Sequence, residues 1–270
     1  MKICFWNTQR NPGLSQYNMA WPGANYQIAC EVLGNATLWV PKQNPRKDMA
    51  QLGYCVVIPF SNVSVEEVEI DNFEALTGDK FWLKGGNNFK KQSKRQVAQV
   101  YAIYPARLDE NIFVYHCNSS DRAPSLMAWV IAQLVTDYND FILLGDFNCE
   151  PDDLMSSLSY LYRTCSNSAL QDDLEGVRVI WAGHTHNAKA IGGATKTLDY
   201  IVTKGREYEL RVDTSTQDAD HYPIVANDLF INFNGNYNQL HTWSHKGFYW
   251  SVYWKRVYNN NGCVAWELVG

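Results

Sequence analysis

No run in the 270-residue sequence approaches the ~18 consecutive apolar residues of a membrane-spanning helix, so no span is expected. There is no CxxC pair either. The seven cysteines (Cys4, Cys30, Cys55, Cys117, Cys149, Cys165 and Cys263) are odd in number and sit mostly in apolar, strand-like segments. That pattern excludes a disulfide scaffold and reads as reduced, buried thiols. Internal repeats and low-complexity linkers are missing, and the first residues enter a strand-like segment without a basic region and apolar run of signal-peptide type. Charge is sparse: 23 Lys plus Arg against 28 Asp plus Glu, a net −5. With 46% hydrophobic and 14% aromatic residues the chain can bury a large core, which excludes disorder and collagen-like repeats.

What is present alternates between two periods. Short apolar runs predict strands at 2–6, 54–60, 96–103, 111–115, 141–144, 178–181, 198–203 and 222–226. Helical spacing with a proline in the first turn predicts helices over 124–138 and 151–162, the second with Asp152 and Asp153 at its positive end. The class is therefore mixed α/β in stacked layers. Between Asn7 and Glu31, Pro12 and Pro22 leave little room for a helix.

Two regions depart from the average. Residues 84–95 carry Lys84, Lys90, Lys91, Lys94 and Arg95 with no acid, either a solvated loop or a clamp for the phosphates of a polyanion. From Leu229 onward the chain holds 11 of 37 aromatics but only four of 51 Asp, Glu, Lys and Arg. Strand alternation there puts Trp250, Val252 and Trp254 on one face and Tyr249 and Tyr253 on the other. A hairpin is expected, with 264–268 as a further strand; it packs on the main body or offers a recognition surface.

Three motifs carry chemistry. In Gly145-Asp146-Phe147-Asn148 an apolar strand ends in a carboxylate and a carboxamide two residues apart. At strand spacing both point into one pocket; the alternative is a turn with an Asx cap. Asp220-His221, just before a buried strand, pairs an acid with the side chain best suited to general-base work on water. Asp199 stands alone in the apolar strand Thr197-Leu198-Asp199-Tyr200-Ile201-Val202, and a buried carboxylate needs a partner. His221 would meet that need. Upstream, Asn7, Glu31 and His116 each close an apolar run, and strand ends of an α/β sheet converge on one rim.

In order, WNTQ, ACEV, YHCN, GDFNCEP, TLDYIV and DADHYPIV resemble the DNase I-like endonuclease/exonuclease/phosphatase superfamily over residues 6–225. The stretch from Gly176 to Val202 is most similar to the catalytic subunits of cytolethal distending toxins. The resemblance implies a four-layer α/β sandwich, two packed mixed β-sheets flanked by helices. Residues 1–228 would be the catalytic domain and 229–270 an aromatic-rich β-type extension, packed on it or binding a protein partner. It implies one Mg²⁺ or Mn²⁺ ion on Glu31, with Asn7 and Asp220 in support. It implies Asp199 orienting His221 to activate water, His116 on the leaving-group side, and Asp146 and Asn148 positioning the phosphoryl group. Arg95, Lys94, Lys91 and Lys90 would contact the phosphates. The activity implied is a metal-dependent DNA endonuclease of toxin or effector type, cytoplasmic in the producing cell or delivered from it. A phosphoinositide phosphatase and a catalytically lapsed binding protein are the alternatives. Gly183-His184-Thr185-His186 also resembles a fragment of calcineurin-like phosphoesterases, but the other motifs of that family are missing, so both histidines are expected in a loop near the cleft.

Overall fold

The computed structural model describes residues 1–8, 24–33, 39–41, 52–57, 63–71, 73–78, 101–105, 111–117, 119, 123–187, 194–215, 219–228, 237–245, 248–258 and 263–270. Two mixed sheets face each other. The first contains β1 (Lys2–Asn7), β2 (Tyr26–Leu33), β3 (Trp39–Pro41), β4 (Leu52–Val57), β11 (Tyr208–Val212) and β12 (Ile224–Asp228) in the order β11-β12-β1-β2-β4-β3. The second contains β5 (Val63–Glu67), β6 (Tyr101–Pro105), β7 (Ile112–Val114), β8 (Phe141–Asp146), β9 (Arg178–Trp181), β10 (Asp199–Lys204), β13 (Tyr237–His245), β14 (Phe248–Tyr258) and β15 (Val264–Leu268). Its order is β13-β14-β15-β9-β10-β8-β7-β6-β5. One pair in each sheet is parallel, β1 with β2 and β7 with β8.

The central strands are apolar runs rather than alternating ones because both of their faces are covered. In β8, Phe141 to Leu144 are all at most 1% exposed, and β1 meets β8 across the interface between the sheets. Among the described residues the extensive helix–strand contacts go to the nine-stranded sheet, where α3 (Pro151–Thr164) lies against β9 and β14. It begins with proline and two acids in its first turn. The helix α2 (Ala123–Asp137) is buried through Val135 and packs against α3 and α4 (Ser168–Leu174). Its Trp129 meets Phe73 of α1 (Phe73–Thr77) edge-on at 5.7 Å. Asn167 caps α4 by accepting from the amides of Ala169 and Leu170.

The residues after 228 join the second sheet. β15 pairs with β9 on one side and β14 on the other. Val252 and Trp254 are fully buried while Tyr253 is 50% exposed, and Trp254 donates from Nε1 to Ser159 Oγ of α3 at 2.9 Å. The side chains of Tyr249 and Trp250 lie outside the described residues, as do the basic segment 84–95 and the stretch 9–23. The described cysteines are buried and free.

Candidate active site

The rim where β1, β2 and β8 end and β10 and β12 begin holds the motif residues of both sheets. Antiparallel pairing of β10 with β8 sets Asp199 opposite Asp146. From the other sheet, Asn7 at the end of β1 donates from Nδ2 to Asp146 Oδ2 at 2.8 Å and so ties the two sheets together. Asp146 is 1% exposed. Its second oxygen, Oδ1, accepts from the backbone amide of Asn148 at 3.0 Å.

That last bond corrects the strand-spacing expectation for Asp146 and Asn148. β8 ends at Asp146, and Asn148 takes a left-handed φ of 52°, which an Asx turn accommodates and a strand does not. Asn148 then sends Nδ2 to the carbonyl of Cys117 at 2.8 Å. Gly145 is required beside it, since a Cβ there would come within 1.8 Å of the Tyr115 carbonyl oxygen.

Glu31 is not at the end of its strand. β2 continues to Leu33, but its register against β4 shifts between Ala29 and Val32. Two residues thus face one, the signature of a β-bulge, which can turn a side chain off its regular face. Glu31 sits in this bulge with φ of 53°, costly for a residue with a Cβ. Its Oε1 lies 3.6 Å from His116 Nε2, which in turn is 3.5 Å from Asp146 Oδ2. His116 follows β7 in a segment whose flanking amides, Tyr115 and Cys117, bond to the carbonyls of Leu144 and Asp146.

On the opposite flank His221 is 5% exposed. Its Nδ1 lies 2.7 Å from Asp199 Oδ2, and its Nε2 lies 3.7 Å from Asp146 Oδ2 and 3.8 Å from Asp220 Oδ1. Asp199 thus has its partner. Trp6 holds the same histidine by donating from Nε1 to its backbone carbonyl at 2.8 Å.

Sequence reasoning gave no role to Trp6 or to His186. The His186 ring stands 4.5 Å from that of His221, and its Nε2 is 3.5 Å from Asp220 Oδ2. Alternation in Gly183-His184-Thr185-His186 separates the two histidines: His184 is exposed, and His186 enters the cleft. Thr185 between them accepts from the amides of Leu198 and Asp199 and so fixes the start of β10. Glu31 and Asp220 stand on different flanks of Asp146, and among the described residues no cluster of three His, Cys, Asp or Glu ligands contains both. Arg95, Lys94, Lys91 and Lys90 lie outside the described residues.

The pocket is electrically unbalanced. Burial, with Asp199 adding to it, raises Asp146 to about 6 despite His221, Asn7 and Asn148. Burial works against the charged form of His221, yet Asp199, Asp146 and Asp220 outweigh it and raise that histidine to about 10. His186 is lowered, first by burial and then by the charge on His221. Excess carboxylate around a buried imidazolium suits a divalent cation. Glu31, Asp220 and the amide oxygen of Asn7 are the hard oxygen donors that Mg²⁺ or Mn²⁺ takes.

No protein-family model and no curated protein matches the chain. Among solved structures, the endonuclease domain of TRAS1, a telomere-specific non-LTR retrotransposon, superposes with a TM-score of 0.54 at 12% identity, over 84% of this chain and 97% of that one. TDP2 of D. rerio, humanized by 14 mutations, gives 0.52 at 12% identity over 84% and 97%. D. rerio TDP2 complexed with a single-strand DNA product gives 0.50 at 12% identity over the same shares. The chain has the DNase I-like α/β sandwich fold.

Proposed function

We propose that the chain is a divalent-metal-dependent phosphodiesterase acting on DNA as an endonuclease. The observation that carries this reading is the Asp199–His221 pair at 2.7 Å, aimed at an Asp146 that Asn7 and Asn148 hold from both sides. Asp199 fixes the tautomer and orientation of His221, whose Nε2 takes the proton of the attacking water. Asp146 and Asn148 orient the phosphoryl group, and His116 faces the leaving oxygen. When bound, by Glu31 with Asn7 and Asp220, a Mg²⁺ or Mn²⁺ ion supplies Lewis-acid polarisation of a phosphate oxygen and the positive charge that brings His221 down into the range of a general base.

Two fold neighbours named for nucleic-acid work, an endonuclease domain and a TDP2 with bound DNA product, support DNA over a small phosphomonoester. The basic residues Lys90, Lys91, Lys94 and Arg95 would supply backbone contacts. The toxin or effector subtype rests on the motif resemblance between Gly176 and Val202, and a protein partner on the aromatic composition after residue 228.

The test is nicking of supercoiled plasmid with Mg²⁺, Mn²⁺ or EDTA, beside His221→Ala and Asp146→Ala proteins purified identically. Metal-dependent nicking by the native protein, lost in both variants, is expected. Intact plasmid with phosphate released from phosphoinositides would reassign the substrate; neither activity would leave a binding protein.

A further inference from the structure

We infer that the cleft contains a second, chemically distinct metal locus, formed by His186, His221 and Asp220 and selective for borderline transition ions such as Zn²⁺ or Co²⁺ over Mg²⁺. Two imidazoles converge on one carboxylate: His186 Nε2 is 3.5 Å from Asp220 Oδ2 and His221 Nε2 is 3.8 Å from Asp220 Oδ1. One ligand atom from each of the three residues lies within 4.8 Å of the others. These separations are too long for hydrogen bonds. They approach the edge of a ligand tetrahedron, which is about 3.3 Å when metal–ligand bonds are about 2.0–2.1 Å.

The support behind the ligands points the same way. A metal-bound imidazole commonly donates its other ring nitrogen to a carboxylate. His221 Nδ1 has such a partner in Asp199 Oδ2 at 2.7 Å. Backbone bonds brace the two segments against each other: the amide of Asn187 donates to the Asp220 carbonyl at 2.8 Å, and that of Tyr222 to the Thr185 carbonyl at 2.7 Å. The two segments that carry the three side chains are therefore held together across a sequence gap of 34 residues between His186 and Asp220. Imidazole nitrogen suits zinc, cobalt and iron, whereas Mg²⁺ retains water and oxygen ligands. Of the oxygen donors proposed for Mg²⁺, Asp220 is common to both sets, whereas Glu31 stands on the other flank of Asp146 beside His116.

An ion here occupies His221 Nε2, the atom assigned to the water proton in the proposed reaction. The locus is thus inhibitory: where Mg²⁺ supports hydrolysis, Zn²⁺ suppresses it. The existence of the site does not depend on that reaction, and its test needs no substrate.

The experiment is a Co²⁺ titration followed by visible absorption, with thermal melting of each protein as a control for folding. Native protein is expected to bind one Co²⁺ with nitrogen-ligand bands. His186→Gln and Asp199→Asn weaken it by at least about tenfold. Glu31→Gln changes it by less than about twofold, since Glu31 is not among the three ligands. Unchanged affinity in His186→Gln, or loss in Glu31→Gln, overturns the proposal. A measurement on the native protein guards against misfolded variants. Zn²⁺ is expected to shift the Nε2 resonances of two histidines in histidine-selective ¹⁵N NMR, and a shift of only one or none rejects the site.

Discussion

On one flank of Asp146 a carboxylate meets a histidine at 3.6 Å, Glu31 with His116; on the other, Asp220 meets His221 at 3.8 Å. The distances match but their causes differ. Glu31 is placed by backbone distortion, a bulge and a left-handed φ, so that flank carries local strain and the carboxylate proposed to hold the ion. His221 is placed by side chains: Asp199 on Nδ1, the Trp6 indole on its carbonyl and the His186 ring alongside. Strain at the first flank suits an element that gains by taking up an ion. Hydrogen bonds to the ring and the backbone of His221 at the second suit the base proposed there, whose orientation must be fixed beforehand.

The sharpest way to break this asymmetry is to remove the base. His221→Ala should lower kcat by about 10²–10⁴-fold at saturating metal, in the range of general-base contributions. Steady-state plasmid nicking measures it, and an equal loss in Glu31→Gln at saturating Mg²⁺ would erase the distinction between flanks. Next in size, Glu31→Gln should raise the Mg²⁺ concentration for half-maximal rate by about 10–100-fold, the scale of ligand-shell changes. His221→Ala should move that concentration the other way, because an ion that weakens proton binding at His221 binds better where no imidazolium stands beside it.

The third prediction concerns stability without metal. His221 binds its proton more tightly folded than unfolded, so its contribution is complete below pH 6.5 and is lost as the pH rises through about 10. Asp146 is raised too, so its contribution is complete below pH 3.8 and lost on rising through about 6. Melting temperature of the metal-free protein should therefore fall with rising pH in both windows. Asp199→Asn should flatten the upper window, and an unaltered slope would show that the carboxylate does not hold the proton on His221. Smallest of all, Glu31→Gly should stabilise the fold by about 1 kcal/mol, because glycine accepts a left-handed φ without the Cβ penalty. Urea unfolding reads this, and a loss of stability instead would mean that Glu31 contributes more through its contacts than its backbone costs.

The sequence made the central strands legible because their apolar runs are long: the strand expected over 141–144 starts as expected and runs on to Asp146, and the one expected over 198–203 lies one residue later, at Asp199–Lys204. The helix expected over 124–138 begins and ends one residue early, at Ala123 and Asp137. Strands Trp39–Pro41, Val63–Glu67 and Tyr208–Val212 and helices Phe73–Thr77 and Ser168–Leu174 were not anticipated. They are short, and two to four apolar residues set no period. In the site, the Asp199–His221 pairing follows from the cost of burying a lone carboxylate. The bulge at Glu31 could not be read, because it is a property of register against β4 and not of local composition. The turn at Asn148 competes with strand spacing on the same four residues. His186 was visible only as one of two alternating histidines, and its side of the loop depends on the bonds from Asn187 and Tyr222 to residues far away in the chain.

The strand Val264–Leu268 lies inside the nine-stranded sheet, with β9 on one side and the hairpin β13–β14 on the other. Although it follows the hairpin in the chain, this strand must be in place before the hairpin can join the sheet in its observed order. Until then β9 presents an open edge, and the pocket between β14 and α3 that Trp254 fills against Ser159 waits for its closing strand. Among the described residues the hairpin β13–β14 reaches the rest of the sheet only through Val264–Leu268, so a change in that strand acts on the interior of the molecule.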